Sequence, residues 1–167
     1  MKASIFQNFV HWIEDKSLIV ITKTIQEGKY KEQVEAIRKL IAEGKQEEAD
    51  NLKKRLLAFT PSGTFNNGRK ADLLTEYSSH VILDIDKITE QQILEVLQKV
   101  ALIPHTFAAF LSPSGNGVKI IVAVSSTGEH HKIAFAQVAA FYAAELQITI
   151  DPSGKDVSRL CFMSYDP

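Results

Sequence analysis

The chain of 167 residues has a single cysteine, Cys161. No internal disulfide is possible, and a multi-cysteine zinc site is excluded. Cys161 lies in the strand-like run Arg159-Leu-Cys-Phe-Met163 and reads as a small buried hydrophobe rather than a nucleophile. Long apolar runs are also missing. None approaches the ~20 residues of a membrane span, so no membrane partner is expected. The stretch Met1 to Val10 contains Lys2, Gln7 and Asn8 and has no apolar h-region, which argues against a signal peptide and for a cytoplasmic location. An excess of either charge is absent too: 19 Lys and Arg face 20 Asp and Glu, a net charge of −1. That balance withholds the basic signature of many nucleic-acid binders, although a local basic face can sit on a neutral protein. The five histidines, His11, His80, His105, His130 and His131, have no zinc-like spacing and receive no role. No Gly-x-Ser-x-Gly elbow supports a serine nucleophile.

What is present is an ordinary globular composition, 45% hydrophobic and 23% charged, in a chain long enough for one domain with a real core. There are no repeats. Residues 1 to about 56 read as mostly helical. Val34, Ile37, Leu40 and Ile41 form one stripe at helical spacing, and Ala49, Leu52 and Leu56 another, with Gly44 as the C-cap between them. Basic residues from Lys29 to Arg55 are interleaved with acids, as on two solvated helices. Asn66 to Lys70 reads as an exposed loop. Residues 57–167 alternate strand and helix. Leu57 to Thr60 and His80 to Asp84 are strand-like. Thr89 with Gln92 forms a capping box for a helix carrying Ile93, Leu94, Leu97 and Val100. Thr106 to Leu111 and Val118 to Val124 flank a Ser-Pro-Ser-Gly-Asn-Gly loop, which predicts a hairpin. A helix follows from about Glu129 to Leu146, and Ile148 to Ile150 and Ser158 to Met163 read as further strands. The order β-α-β-β-α-β predicts an α+β fold. The expected form is the split βαβ antiparallel sheet of ferredoxin-like and RNA-recognition-like folds, with both helices on one face and the other face free for a site.

Three clusters carry candidate chemistry. Asp84 and Asp86, at i and i+2 on a strand end, point to one face and crowd negative charge that a divalent cation relieves. Carboxylates of this kind suit Mg²⁺ or Mn²⁺, although a solvated strand end explains an Asp-x-Asp equally well. In Ser112-Pro-Ser-Gly-Asn-Gly-Val-Lys119, Gly115 and Gly117 permit a nest of N–H groups toward an anion. Ser112 and Ser114 add hydroxyls and Lys119 a positive charge. A plain Gly-rich hairpin turn is the other reading. The third cluster, Asp151-Pro-Ser-Gly-Lys-Asp-Val-Ser-Arg159, offers Asp151 as a further carboxylate, or as an Asx-turn before Pro152. It also offers Arg159 to a phosphate, or as a partner to one of the acids. Pro61-Ser-Gly-Thr-Phe65 echoes Pro113-Ser114-Gly115 and reads as a structural turn, with a second anion-facing turn as the other reading.

Leu83-Asp-Ile-Asp86, Phe110 to Lys119, Asp151 to Arg159 and Ser164-Tyr-Asp-Pro167, with Leu52 to Leu56 and Phe59 to Phe65 before them, together resemble the VirE N-terminal, or BT4734-like N-terminal, domain family. The family looks like a branch of the archaeo-eukaryotic primase superfamily. The resemblance implies a primase-like nucleotidyltransferase domain of a replication protein. Asp84, Asp86 and Asp151 would be its catalytic metal ligands for Mg²⁺ or Mn²⁺. The turn Ser114 to Lys119, with Gly115 and Gly117, would lie near a nucleoside triphosphate, and the reading of the residues adds Ser112, Ser158 and Arg159 to that site, with DNA or RNA as template. It also implies an origin at the N-terminus of a longer protein, ahead of a helicase-type module. Lys119 stands where primase-polymerases usually place a histidine. The alternative is a catalytically inactive nucleic-acid-binding or protein-interaction domain of the same fold.

Overall fold

Residues 2–17 depart from the helical expectation. In the computed structural model, which describes Met1–Pro167, β1 (Lys2–Gln7) and β2 (His11–Ser17) form an antiparallel hairpin. Four consecutive residues of β1 are buried, because the strand lies inside a sheet with both faces covered. The helices follow only then: α1 (Leu18–Gln26), α2 (Lys31–Ala42) and α3 (Gln46–Lys53). The stripe Val34 and Ile37 of α2 meets Ala49 and Leu56 in a small core of their own.

The rest of the chain contains β3 (Ala58–Phe59), β4 (Gly63–Phe65), β5 (Leu74–Tyr77), β6 (His80–Asp86), α4 (Glu90–Val100), β7 (Thr106–Leu111), β8 (Gly117–Ala123), α5 (His131–Leu146) and β9 (Cys161–Phe162). The protein is α+β. A central three-stranded sheet runs β6-β8-β7, all antiparallel neighbours, and a four-stranded sheet runs β2-β1-β3-β9. β4 and β5 pair separately.

Local signals explain several of these elements. The Thr89 hydroxyl accepts from Gln92 N and the Gln92 amide oxygen accepts from Thr89 N, closing the capping box that starts α4. The predicted hairpin of β7 and β8 is present. Of two further expected strands, one is absent and the other is short. Gln147 ends α5 in a left-handed conformation, and the chain then enters a 3-10 turn at Pro152–Lys155, so Ile148 to Ile150 form no strand. Of Ser158 to Met163 only Cys161 and Phe162 are paired.

Alternation along β6 and β8 divides the central sheet. Val81, Leu83 and Ile85 with Val118, Ile120 and Val122 pack against Ile93 and Val96 of α4 and Phe135, Tyr142 and Leu146 of α5. Ile82 and Ile121 point the other way, into Ala3, Ile5, Leu18, Ile21, Ile25, Phe59, Cys161 and Met163. The second face is therefore not free along its length. The N-terminal hairpin, α1 and β9 cover it, and a cleft is left at the end where β6 reaches Asp84 and Asp86.

Candidate functional site

Register sets the centre of the cleft. Asp84 on β6 lies directly opposite Lys119 on β8, and both leave the sheet on the face of Ile82 and Ile121. The Lys119 ammonium is bonded to Asp84 Oδ1 and lies 3.5 Å from Asp86 Oδ1. Arg159 Nη2 reaches Asp84 Oδ2 at 3.5 Å. The two carboxylates of the Asp-x-Asp pair thus converge on one cation. Asp84 is buried, and burial pushes its carboxyl above the ordinary carboxylate range while Lys119 pulls it back. Gly117 begins β8 beside this pair. A Cβ there would collide with the Ile85 carbonyl and crowd the Asp86 side chain, so only glycine lets β8 approach β6 closely at Asp86.

The cleft holds about 480 Å³ and adds cations that the sequence did not single out. Lys53, at the end of α3, donates to Ser114 Oγ at 3.1 Å and lies 5.6 Å from the centroid of Phe162. Burial, with Lys119 nearby, holds the Lys53 ammonium below its usual pKa. Arg69 donates to Ser158 O at 2.6 Å and to Phe9 O at 3.2 Å. It belongs to the stretch read as an exposed loop, and only the tertiary fold brings it here. Lys53 lies inside both the basic run Lys29 to Arg55 and the Leu52 to Leu56 stretch of the resemblance, and neither signal separates it from its neighbours. Cys161 lines the cleft too, but complete burial raises its thiol to about 12, so it stays protonated.

The remaining expected residues are placed differently. The Asp151 backbone N–H donates to Asp84 O at 2.9 Å, which brings the segment beside β6. Its carboxylate accepts from Ser153 N at 2.7 Å and caps the turn Pro152–Lys155. No three His, Cys, Asp or Glu side chains come close enough to share one metal ion, so Asp84, Asp86 and Asp151 do not form a three-acid cluster here. The loop after β7 closes on itself. Gly115 N donates to Ser112 O, and Ser112 N to Gly117 O, so these two N–H groups are spent within the hairpin. Gly115 packs under Arg38, whose guanidinium donates to Ser112 O and Tyr165 O. Ser112 is buried, with its hydroxyl unpartnered. The Ser158 hydroxyl donates to Asp156. Ser114, through Lys53, and Lys119 and Arg159 are the parts of the expected anion site that face the cleft.

This arrangement of acidic strand end, glycine-bounded hairpin and C-terminal arginine falls within the residues 51–167 that match the family model described as "BT4734-like, N-terminal domain". The chain belongs to the BT4734-like N-terminal domain family. No curated protein and no solved structure matches the chain. Within this BT4734-like domain, the hairpin β1–β2 and helices α1 and α2 lie before the matched residues, yet Ile5 and Ile21 share a core with Ile82 and Ile121. No helix of the domain is long and apolar enough to cross a membrane.

Proposed function

We propose that the protein is a primase-like nucleotidyltransferase domain that binds a nucleoside triphosphate in the cleft of Asp84, Asp86, Lys119 and Arg159. One observation carries this reading: two same-face carboxylates converge on a single cation, inside a cleft whose other charged residues are Lys53, Arg69, Arg159 and Asp156. The finer likeness of the fold supports it. The central strands follow the order β6-β8-β7 with α4 between β6 and β7 in the chain, the order a split βαβ unit would have, and the acids sit on the face away from α4 and α5.

On this reading a divalent ion would take the place of the Lys119 ammonium between Asp84 and Asp86. Asp84 and Asp86 would hold Mg²⁺ or Mn²⁺, with water and substrate oxygens completing the shell, as these ions accept. When bound, such an ion supplies charge neutralisation to the transferring phosphate. The chain's own residues do the positioning. Lys119 offers a point charge and Arg159 a planar fork to phosphate oxygens, and Lys53 is fixed by its bond to Ser114. The reaction forms a bond from a primer 3′-oxygen to the α-phosphorus and releases pyrophosphate, with rate derived from positioning and charge complementarity. A DNA or RNA template and a helicase-type module in a longer protein belong to the same reading.

The test is thermal. A nucleoside triphosphate with Mn²⁺ raises the melting temperature, and Asp84→Asn abolishes that shift relative to the variant's own baseline. No shift in the parent protein at millimolar ligand would overturn the proposal.

A second reading has an observation of its own. Lys119 already neutralises Asp84, and Lys53, Arg69 and Arg159 outnumber Asp86 and Asp156 along the cleft without a metal. A non-catalytic nucleic-acid-binding module would use it that way. It predicts salt-dependent affinity for single-stranded DNA, unchanged by Mn²⁺ and by Asp84→Asn, and no nucleotide incorporation.

A further inference from the structure

The tip of the β1–β2 hairpin carries two successive residues with positive φ, Asn8 at 50° and Phe9 at 68°. Asparagine tolerates that region and glycine favours it, whereas a bulky side chain is strained there. Phenylalanine thus occupies a position whose backbone asks for glycine. Its ring is not in any of the four apolar cores. The ring is half-buried and lines the cleft of Asp84 and Lys119. It meets Phe162 edge to face, with centroids 5.6 Å apart and planes at 77°. Its backbone is pinned: Arg69 donates to Phe9 O while its other arm holds Ser158 O. A strained aromatic residue, held in place by an arginine beside a cationic cleft, is what strain at a functional site looks like. An aromatic face beside phosphate-binding cations suits one ligand class, because every nucleobase has a π-face and every nucleotide a phosphate.

We propose that Phe9 is the platform on which a nucleobase stacks when its phosphates lie on Lys119, Arg159 and Lys53. The inference rests on the nucleotide reading of this cleft and adds the residue that recognises the base. A neighbouring ring, Phe162, buttresses Phe9 from the side, and Lys53 covers Phe162. Stacking is tolerant of base identity, so no single base is selected by this contact.

Calorimetric titration of the full chain with ATP and with inorganic tripolyphosphate, each with Mn²⁺, separates the base from the phosphates. The wild-type protein binds ATP roughly tenfold more tightly than tripolyphosphate, the scale of one base–aromatic stack. Phe9→Gly removes that preference and leaves tripolyphosphate affinity unchanged. Its melting temperature stays level or rises, because glycine fits the left-handed backbone. Phe9→Trp restores the preference. Equal wild-type affinity for the two ligands overturns the inference while leaving the nucleotide reading intact. So does a loss in Phe9→Gly that is the same for both. Failure of both ligands to bind overturns the nucleotide reading itself, and the platform with it. An oligodeoxyadenylate titrated in the same way shows whether the stacked base belongs to a strand, by losing more affinity than ATP in Phe9→Gly.

Discussion

On one face of β6, Val81, Leu83 and Ile85 meet α4 and α5, and all three are fully buried. On the other face, Ile82 meets the N-terminal sheet, Asp84 meets Lys119, and Asp86 reaches solvent. The same seven-residue strand supplies both sets. The first face is uniform because helices cover it from end to end. The second changes from apolar to ionic over two residues, because its cover ends there. A two-residue period alone distributes side chains between faces; what lies opposite decides which charges survive burial. Asp84 can be buried because Lys119 and Arg159 are brought to it by β8 and by the segment before β9.

Leu83→Ala breaks the apolar face and has the largest expected effect. Leu83 is fully buried within the sheet–helix core. Removing it costs about 4 kcal/mol through lost transfer energy and a cavity, measured as a fall in the urea midpoint. The fraction still folded keeps its affinity for tripolyphosphate, because that side chain points away from the cleft. Loss of affinity in the folded fraction would mean that the two faces are not independent.

Lys119→Met probes the ionic face and has a slightly smaller effect. It leaves Asp84, with a side chain only 9% exposed, with Arg159 at 3.5 Å as its nearest charged partner. Removing one member of a buried pair costs about 3 kcal/mol. The double variant Asp84→Leu with Lys119→Met recovers most of that loss, because an apolar pair of similar volume needs no compensation. The double-mutant cycle reads the coupling directly. A single-variant cost below about 1 kcal/mol would show the pair to be solvated like a surface bridge, and the contrast between the faces would then be one of composition only.

The two faces were not equally legible in the sequence. The Thr89 capping box and the β7–β8 hairpin follow from signals a few residues long, and both formed. The apolar face of β6 and the same-face placement of Asp84 and Asp86 follow from alternation. The β1–β2 hairpin did not announce itself. Its turn has Phe9 where the usual signal is glycine, and its central strand is buried on both sides and does not alternate. Ile148 to Ile150 looked like a strand, but three residues between a left-handed helix end and a proline turn have no neighbour to pair with. At the site, Lys119 and Arg159 were visible as motif members. Arg69 and Phe9 were not, since their position depends on contacts between residues 60 apart. Asp151 carried two readings in the sequence, and its carboxylate is used in the local one.

The smallest expected effect concerns the link between the two faces. His131 opens α5 on the helical side and is 2% exposed. Its Nε2 is 3.0 Å from Gly154 O and its Nδ1 is 3.1 Å from the Tyr77 hydroxyl. The neutral ring with its proton on Nε2 satisfies both, donating to the carbonyl and accepting from the phenol. Gly154 belongs to the turn that packs against β6 and lines the cleft, where a Cβ would strike the Ile82 carbonyl. His131 thus tethers the turn from behind. Burial holds its pKa below the ordinary 6.5, despite the Gly154 carbonyl and nearby Asp156. His80, against the Ser78 carbonyl, is shifted the same way. Well above pH 6.5 both rings are neutral in the folded and unfolded chain, and their contribution is complete. As pH falls below 6.5 the unfolded chain takes up protons that the folded chain refuses, so stability falls until the lower folded pKa is passed. His131→Gln retains a donor for Gly154 but does not titrate. Denaturant midpoints measured from pH 7.5 down to about 5.5 therefore fall less steeply in His131→Gln than in the parent, and the slope that remains belongs to groups common to both proteins, His80 among them. Asp84, whose pKa is raised, acts in the opposite sense but is common to both proteins and cancels in the difference. Identical slopes would mean that His131 is solvated in the folded state, and that the turn beneath the cleft is held by Gly154 packing alone.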